Sequence, residues 1–182
     1  MRRKKEKKRS IVREGISWFL FLALFILIIY LLVNFIGERA QVSGDAMEPA
    51  LCNGDYILLD KFSYRFTNPK RFDVVLFPFE YQDDVNYLGR VIGLPGETVQ
   101  IQDGQIYING KVLEEDYGKE EIRNAGLASS VITLGQDEYF VLGDNRNNCT
   151  DSREPSVGNI SARDIIGKAV CCIWPSQRAG LL

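Results

Sequence analysis

The sequence predicts a mainly β protein: a single N-terminal transmembrane helix followed by an antiparallel β-sheet domain. Three observations carry this. An apolar run, GISWFLFLALFILIIYLLVNFIG, holds no charge across residues 15–37. Seven short runs beyond it alternate apolar and polar residues or are rich in strand formers. Turn dipeptides stand between several of them.

The apolar run, as a helix rising about 1.5 Å per residue, reaches about 34 Å, enough for a hydrocarbon core of about 30 Å. A secretory signal peptide also starts basic, but its apolar region is shorter and ends at small residues. Here Val33, Phe35 and Ile36 crowd the end, so a retained anchor is expected. Residues 55–62, 72–77, 86–94, 98–102, 105–110, 138–144 and 165–174 read as strands, with FDVVLF at 72–77 a core strand. Asp103-Gly104 and Asn109-Gly110 are hairpin signals. Leu94-Pro95-Gly96-Glu97 reads as a tight turn, Pro fixing one backbone angle and Gly supplying a positive one. Residues 114–130 are polar and loosely patterned, a loop or small subdomain. The expected organisation is a cytoplasmic basic tail over 1–14, a transmembrane helix over 15–37 and an extracytoplasmic β-domain over 38–182.

Charge supports that order. Arg2, Arg3, Lys4, Lys5, Lys7, Lys8, Arg9 and Arg13 are eight of the 22 basic residues. From Gly15 onward 14 basic residues face 22 acidic ones, a net of −8. A nucleic-acid binder would spread its cations over a folded face. A short basic tail before an apolar run fits a membrane, with the tail cytoplasmic. No nucleic-acid partner is expected, and membrane lipid is. The chain has no His, which excludes a Ser-His-Asp triad and most catalytic zinc sites. Cys52, Cys149, Cys171 and Cys172 form no CxxC pair, and their pairing is not readable from sequence. Adjacent Cys171 and Cys172 would face opposite ways in a strand as small core residues. No metal and no cofactor are expected.

Four stretches stand out: SGDAMEPAL (43–51), FDVVLF (72–77), LGRVIGLPGE (88–97) and GDNRNNCTDSR (143–153), the last followed by Gly158. Together with the apolar run, they resemble the type I signal peptidases, membrane-anchored β-fold serine proteases that remove signal peptides from exported proteins. The match in motif order extends from the anchor to Trp174-Pro175. The resemblance implies a Ser nucleophile at position 46, before Met47 and Pro49, where this chain has Ala46. It implies a Lys general base directly before Arg90, where this chain has Gly89. It implies a supporting Ser at the place of Cys149. Gly143, Asp144, Asn145, Arg146, Asp151, Ser152 and Arg153 match as they stand, and the resemblance implies that Asp151 and Arg153 form a structural ion pair. Glu97 stands where the family often has Asp. Met47 is expected at the cleft mouth near the membrane or as core filling.

A Ser-Lys pair works because a desolvated, neutral amine takes the hydroxyl proton as the oxygen attacks a carbonyl. Ala46 has no oxygen and Gly89 no amine, so the chain is expected to be inactive as written. Backbone N–H groups near residue 46 would still hold a carbonyl. Cys149 lacks a His or local Lys to activate it, and neither Lys61 nor Lys70 is expected to replace the base. The resemblance extends to signal-peptidase-like proteins of Gram-positive pilus gene clusters that lack the Ser and Lys. It implies a non-catalytic accessory or chaperone binding exported protein or pilin precursors, beside a sortase, at the cell membrane. The alternative is a working signal peptidase with an unconventional or mutated site.

Overall fold

The computed structural model describes residues 14–27, 30, 37–79 and 86–182. The chain divides into two compact units, Met1–Gly37 and Glu38–Leu182. In the first, residues 14–27 are helical and exposed on every side, including Trp18, Phe19 and Phe21. Among the described residues no helix is long and apolar enough to cross a membrane. The expected helix over 15–37 is described only in part, since 28–29 and 31–36 lie outside the described residues, as do residues 1–13 of the basic tail expected over 1–14, and Gly37 begins a strand instead.

The second unit has the expected antiparallel β architecture. Its strands are β1 (Gly37–Gln41), β2 (Tyr56–Asp60), β3 (Val74–Pro78), β4 (Asn86–Gly93), β5 (Thr98–Gln102) and β6 (Gln105–Ile108). Then come β7 (Lys111–Val112), β8 (Ile132–Thr133), β9 (Glu138–Leu142), β10 (Ile160–Ser161), β11 (Gly167–Trp174) and β12 (Gly180–Leu181). The larger sheet runs β1-β2-β11-β3-β4-β9-β10, with β12 paired to β11, and the smaller runs β7-β6-β5-β8. Asp103 and Gly104 turn β5 into β6 with φ of 49° and 76°, and Asn109 and Gly110 turn β6 into β7 with 52° and 74°. Both residues of such a turn need positive φ, which is why these dipeptides signal it. Gly96 supplies φ of 78° in the Pro95 turn, closed by Glu97 N–H donating to the Leu94 carbonyl at 3.1 Å.

Alternation along β3, β4 and β9 splits the core by face. One face of the large sheet carries Val75, Phe77, Val91, Tyr139 and Val141. The other carries Ile92, Phe140 and Leu142 against the small sheet's Val99, Ile101, Ile106 and Ile108. Farther along that second face, Val42, Met47, Leu51, Ile57, Leu59, Val74, Ala169 and Cys172 form a third cluster. Met47 is 1% exposed, so it fills core rather than standing free at a cleft mouth. Cys172 is buried and Cys171 half-buried; all four cysteines are free.

Candidate functional site

Ala46 lies in the loop between β1 and β2. The carbonyl of Ala46 accepts the Asn145 N–H at 3.0 Å, and the Asn145 side-chain amide donates to the Asp45 carbonyl at 3.0 Å. These two bonds tie the 45–46 loop to the Gly143–Arg153 loop after β9. Glu48 N–H donates to Asp45 O, and Leu51 N–H to Met47 O. Among the described residues no protein acceptor takes the Ala46 N–H.

Gly143 is the pivot. A Cβ there would sit 2.7 Å from the Ala46 carbonyl and 2.7 Å from both Cβ and Sγ of Cys149. Only a residue without a side chain lets both approach. Gly89 lies two places before Val91 on β4, and Val91 pairs with Val141 on β9. A Cβ at Gly89 would lie 3.2 Å from the Phe77 ring and 3.3 Å from Val141 Cβ. Gly89, Val141 and Gly143 therefore share one sheet face, and Ala46 and Cys149 close over its end.

The thiol is held protonated. Burial, reinforced by the neighbouring Asp151 carboxylate, pushes the Cys149 pKa up to about 12. Its Sγ–H donates to Asp151 Oδ2 at 3.0 Å, and Arg153 Nη2 donates to Sγ at 3.2 Å. A nucleophilic cysteine needs the opposite shift.

Buried ion pairs fix the surrounding loop. Asp151 is 2% exposed and accepts from Arg153 Nε and Nη2 at 2.8 Å each, from the Arg153 N–H at 3.1 Å and from the Gly143 N–H at 3.1 Å. Ser152 N–H donates to the Val141 carbonyl, and the Val141 N–H returns a bond to Ser152 Oγ. Arg90 grips Asp144 with two bonds of 2.8 and 2.7 Å, donates to the Phe72 carbonyl at 3.0 Å and packs its guanidinium 3.9 Å from the Tyr117 ring centre. Burial raises the Asp144 pKa against the pull of Arg90. Arg146 donates to Gly143 O at 3.0 Å and pairs with Glu115 at 2.7 Å. Burial pulls the Glu115 pKa up, and Arg146 with backbone donors outweighs it, leaving Glu115 below its ordinary value.

Several of these partners were not singled out by sequence. Glu115, Tyr117 and Lys119 lie in the polar 114–130 segment, which has only a short 3-10 turn at Gly126–Ser129. That segment straps the site loop: Lys119 N–H donates to Asp144 O at 2.8 Å, and Lys119 Nζ pairs with Glu48 at 2.6 Å. Phe72 sits at φ of 72°, a region bulky residues avoid, and packs its ring 5.1 Å from Tyr117. Glu97 accepts from Leu94 N–H at 2.8 Å and Arg71 at 2.6 Å, bracing its turn. A periodicity reading has no signal for contacts made by an aperiodic strap. Among the described residues no group of His, Cys, Asp and Glu is arranged to hold a metal.

Beside Ala46 runs a groove with about 80 Å³ of space, lined by Val42, Ala46, Met47, Ile57, Leu76 and Leu88. β1 is an edge strand of the sheet, and Asn86–Leu88 of β4, paired with β3 on one side, precede the stretch paired with β9, so among the described residues both border the groove with a backbone edge that has no partner strand.

A family model described as signal peptidase, peptidase S26, matches residues 15–174. The chain belongs to this family. It is 31% identical to "Signal peptidase I P" of Bacillus subtilis subsp. natto, covering 97% of this chain and 96% of that one. It is 34% identical to "Probable signal peptidase I-2" of Synechocystis sp., covering 82% and 68%. It is 30% identical to "Signal peptidase IB" of Staphylococcus aureus, covering 90% and 91%. A crystal structure of a signal peptidase I from Enterococcus faecalis V583 superposes with a TM-score of 0.48 at 34% identity, covering 57% of this chain and 98% of that one. In this signal peptidase relative, Ala46 and Gly89 lie beside a loop framework held by Arg90, Asp144, Asp151 and Arg153.

Proposed function

We propose that this chain is a membrane-anchored, non-catalytic signal peptidase homologue that holds exported protein precursors without cutting them. The observation that carries the reading is that Ala46 and Gly89 stand where the resemblance expects a nucleophile and a base. The place for an attacking oxygen is a methyl, and the place for its proton acceptor is a hydrogen facing Phe77 and Val141. The protonated Cys149 thiol supplies neither role. The apolar groove and its unpaired backbone edges suit an extended peptide added as a strand, with small side chains entering the groove. The anchor is residues 15–37, with 1–14 cytoplasmic and 38–182 extracytoplasmic. An apolar helix exposed all round, as residues 14–27 are, calls for a lipid or protein surrounding. The precursors are pilin-like, and the chain acts as an accessory beside a sortase in pilus assembly.

The test is incubation of the purified full chain with an exported precursor, with and without a photocrosslinker in the groove. The expected result is a crosslink to the precursor with no cleavage. Turnover abolished by Cys149→Ala would overturn it, and absence of any crosslink would leave an anchor without peptide binding. Similarity to relatives named signal peptidases favours a second reading, a peptidase carrying a mutated site. Serine and lysine codons at 46 and 89 in the gene would favour that one.

A further inference from the structure

A second cavity lies between the end of β3 and residues 156–164, where Val157 and Ile160 join the apolar cluster of Val75, Phe77 and Val141. Pro78, Phe79, Val157 and Ile160 give it apolar walls, and Ser156, Asn159 and Asp164 supply its polar groups. It holds about 250 Å³ of space, against about 80 Å³ in the groove beside Ala46. Small-molecule sites run to roughly 300–1,000 Å³, so this one is sized for a single side chain. Its polar lining accepts hydrogen bonds. Asn159 directs its amide nitrogen to Glu138 Oε2 at 2.8 Å, which leaves Oδ1 as the other end of the amide. Among the described residues no hydrogen bond or ion pair engages the Asp164 carboxylate or the Ser156 hydroxyl. No Lys or Arg lines the cavity; Arg163, next to Asp164 in sequence, is exposed outside it. A carboxylate, an amide oxygen and a hydroxyl suit an ammonium, which has three donors and no acceptor. A divalent cation fits poorly, because Asp164 is the one carboxylate of the lining. The apolar walls suit the methylene stem that carries an ammonium. A lysine side chain has both parts.

The cavity adjoins the groove. Asn86 and Tyr87 line the groove, Pro78 pairs with Asn86 across the β3–β4 ladder, and the Phe79 ring packs 4.8 Å from the Tyr87 ring. We propose that this cavity is a specificity pocket for a lysine of the polypeptide lying in the groove. The stem packs on Phe79 and Val157, and the ammonium meets Asp164, Ser156 and Asn159. The proposal rests on the reading that the groove holds an extended polypeptide, and it adds a charged feature that tells one precursor from another. Small side chains in the groove fit many exported chains; a lysine at a fixed spacing from them narrows the choice.

The test is fluorescence anisotropy of labelled synthetic peptides titrated with the full chain in detergent micelles. Each peptide carries an Ala-Val-Ala segment for the groove and one lysine, moved in single steps along either flank. One lysine position is expected to bind about fivefold tighter than the rest, the size of an exposed charge pair. Norleucine at that position keeps an apolar stem without the ammonium and loses the gain. Asp164→Asn brings lysine down to the norleucine level, and Asp164→Glu keeps part of the gain. Val157→Trp fills the cavity and abolishes it. Asp164 is exposed, so Asp164→Asn decides the matter even where Val157→Trp does not fold. Asp137→Asn, at an exposed carboxylate outside the lining, leaves the gain intact. Equal affinity for lysine and norleucine at every position overturns the proposal, as does a gain that Asp137→Asn lowers as much as Asp164→Asn. A gain that survives Leu88→Trp, which blocks the groove, overturns the link between the two sites. Binding without any lysine preference refutes the pocket alone, whereas no binding of any peptide refutes the groove reading and the pocket with it.

Discussion

Building a Ser-Lys-Ser set at positions 46, 89 and 149 tests both the geometry and the proposed non-catalytic reading. The perturbation is Ala46→Ser with Gly89→Lys and Cys149→Ser. Ala46 is half-buried in a loop, and a hydroxyl there adds one small atom. Position 89 is less forgiving. A Cβ meets the Phe77 ring at 3.2 Å and Val141 at 3.3 and 3.4 Å, tighter than ordinary contact, before the rest of the lysine is placed. Crowding of a packed interior by this amount costs about 1–3 kcal/mol. For a chain of this length that is a fall of about 2–12 °C in Tm. Val141→Ala in the same background removes one crowding methyl and returns part of the loss. The apolar wall that causes the crowding also desolvates the new amine and lowers its pKa, which a general base requires. Thermal unfolding and cleavage of an exported precursor are the assays. The triple variant is expected to unfold earlier and to cleave weakly, while each single variant stays inactive because the two groups act as a unit. Ala46→Ser alone cleaving as well as the triple would refute the assignment of position 89. A folded triple variant without turnover would show that a lysine at 89 does not reach residue 46.

Three further outcomes follow from the same contacts. Gly143→Ala drives a methyl to 2.7 Å from the Ala46 carbonyl and Cys149 Sγ, so the 45–46 and 143–149 loops must separate. A loss of roughly 2–3 kcal/mol in denaturant unfolding is expected, and a smaller one for Gly44→Ala, where the added Cβ meets nothing within 4 Å and the positive φ is the only strain. Cys149, with its pKa pushed up to about 12, alkylates at about pH 8 roughly three orders of magnitude more slowly than a free thiol of pKa about 8.5, read by mass mapping after iodoacetamide. Glu115 and Asp73 both have lowered pKa values, burial opposing and Arg146 or Lys168 prevailing. Their stabilisation is present above the unfolded carboxylate pKa of about 4 and is lost as pH falls through the lower folded values, so denaturant midpoints drop below about pH 4. Glu115→Gln flattens that acid limb.

The strands most legible in sequence were those with a face to bury. β2 through β6, β9 and β11 alternate or run apolar because each packs one side or both against a core cluster, and their turns carry Asn-Gly, Asp-Gly or Pro-Gly. β7 was announced only by the Asn109-Gly110 turn before it, and the two-residue strands β8, β10 and β12 escaped notice, since a pair of residues has no period. β1 did too: GERAQ is an exposed edge strand whose residues satisfy no core pattern. At the site, the resemblance to the signal peptidases led to Ala46, Gly89, Cys149 and the charged residues of the 143–153 loop. It did not lead to Tyr117 over Arg90, Glu115 on Arg146 or Lys119 on Glu48. Those contacts join residues distant in sequence through a segment with no repeating pattern, and only the folded strap brings them together. Phe72 is a related case. Nothing in FDVVLF announces a positive φ, yet the Arg90 bond to its carbonyl and the Tyr117 ring hold it there.

The loop framework around Ala46 and Gly89 is held by residues other than those two, so it does not depend on which side chains stand there. Asp151 and Asp144 are each gripped by a buried arginine, and removing one partner of such a pair strands a charge at about 3–5 kcal/mol. Ala46 and Gly89 carry no comparable penalty. A half-buried methyl in place of a hydroxyl leaves no unpaired polar group behind. A hydrogen in place of a lysine side chain spares the desolvation of an amine against Phe77 and Val141. The Ala46 carbonyl still receives the Asn145 N–H, because that bond runs from backbone to backbone and is indifferent to the side chain at 46. The side chains at 46 and 89 therefore do not decide whether the 45–46 and 143–153 loops stay in register. By the same reasoning, Asp151→Asn should unfold the site more readily than a substitution at 46 or 89, read by denaturant unfolding.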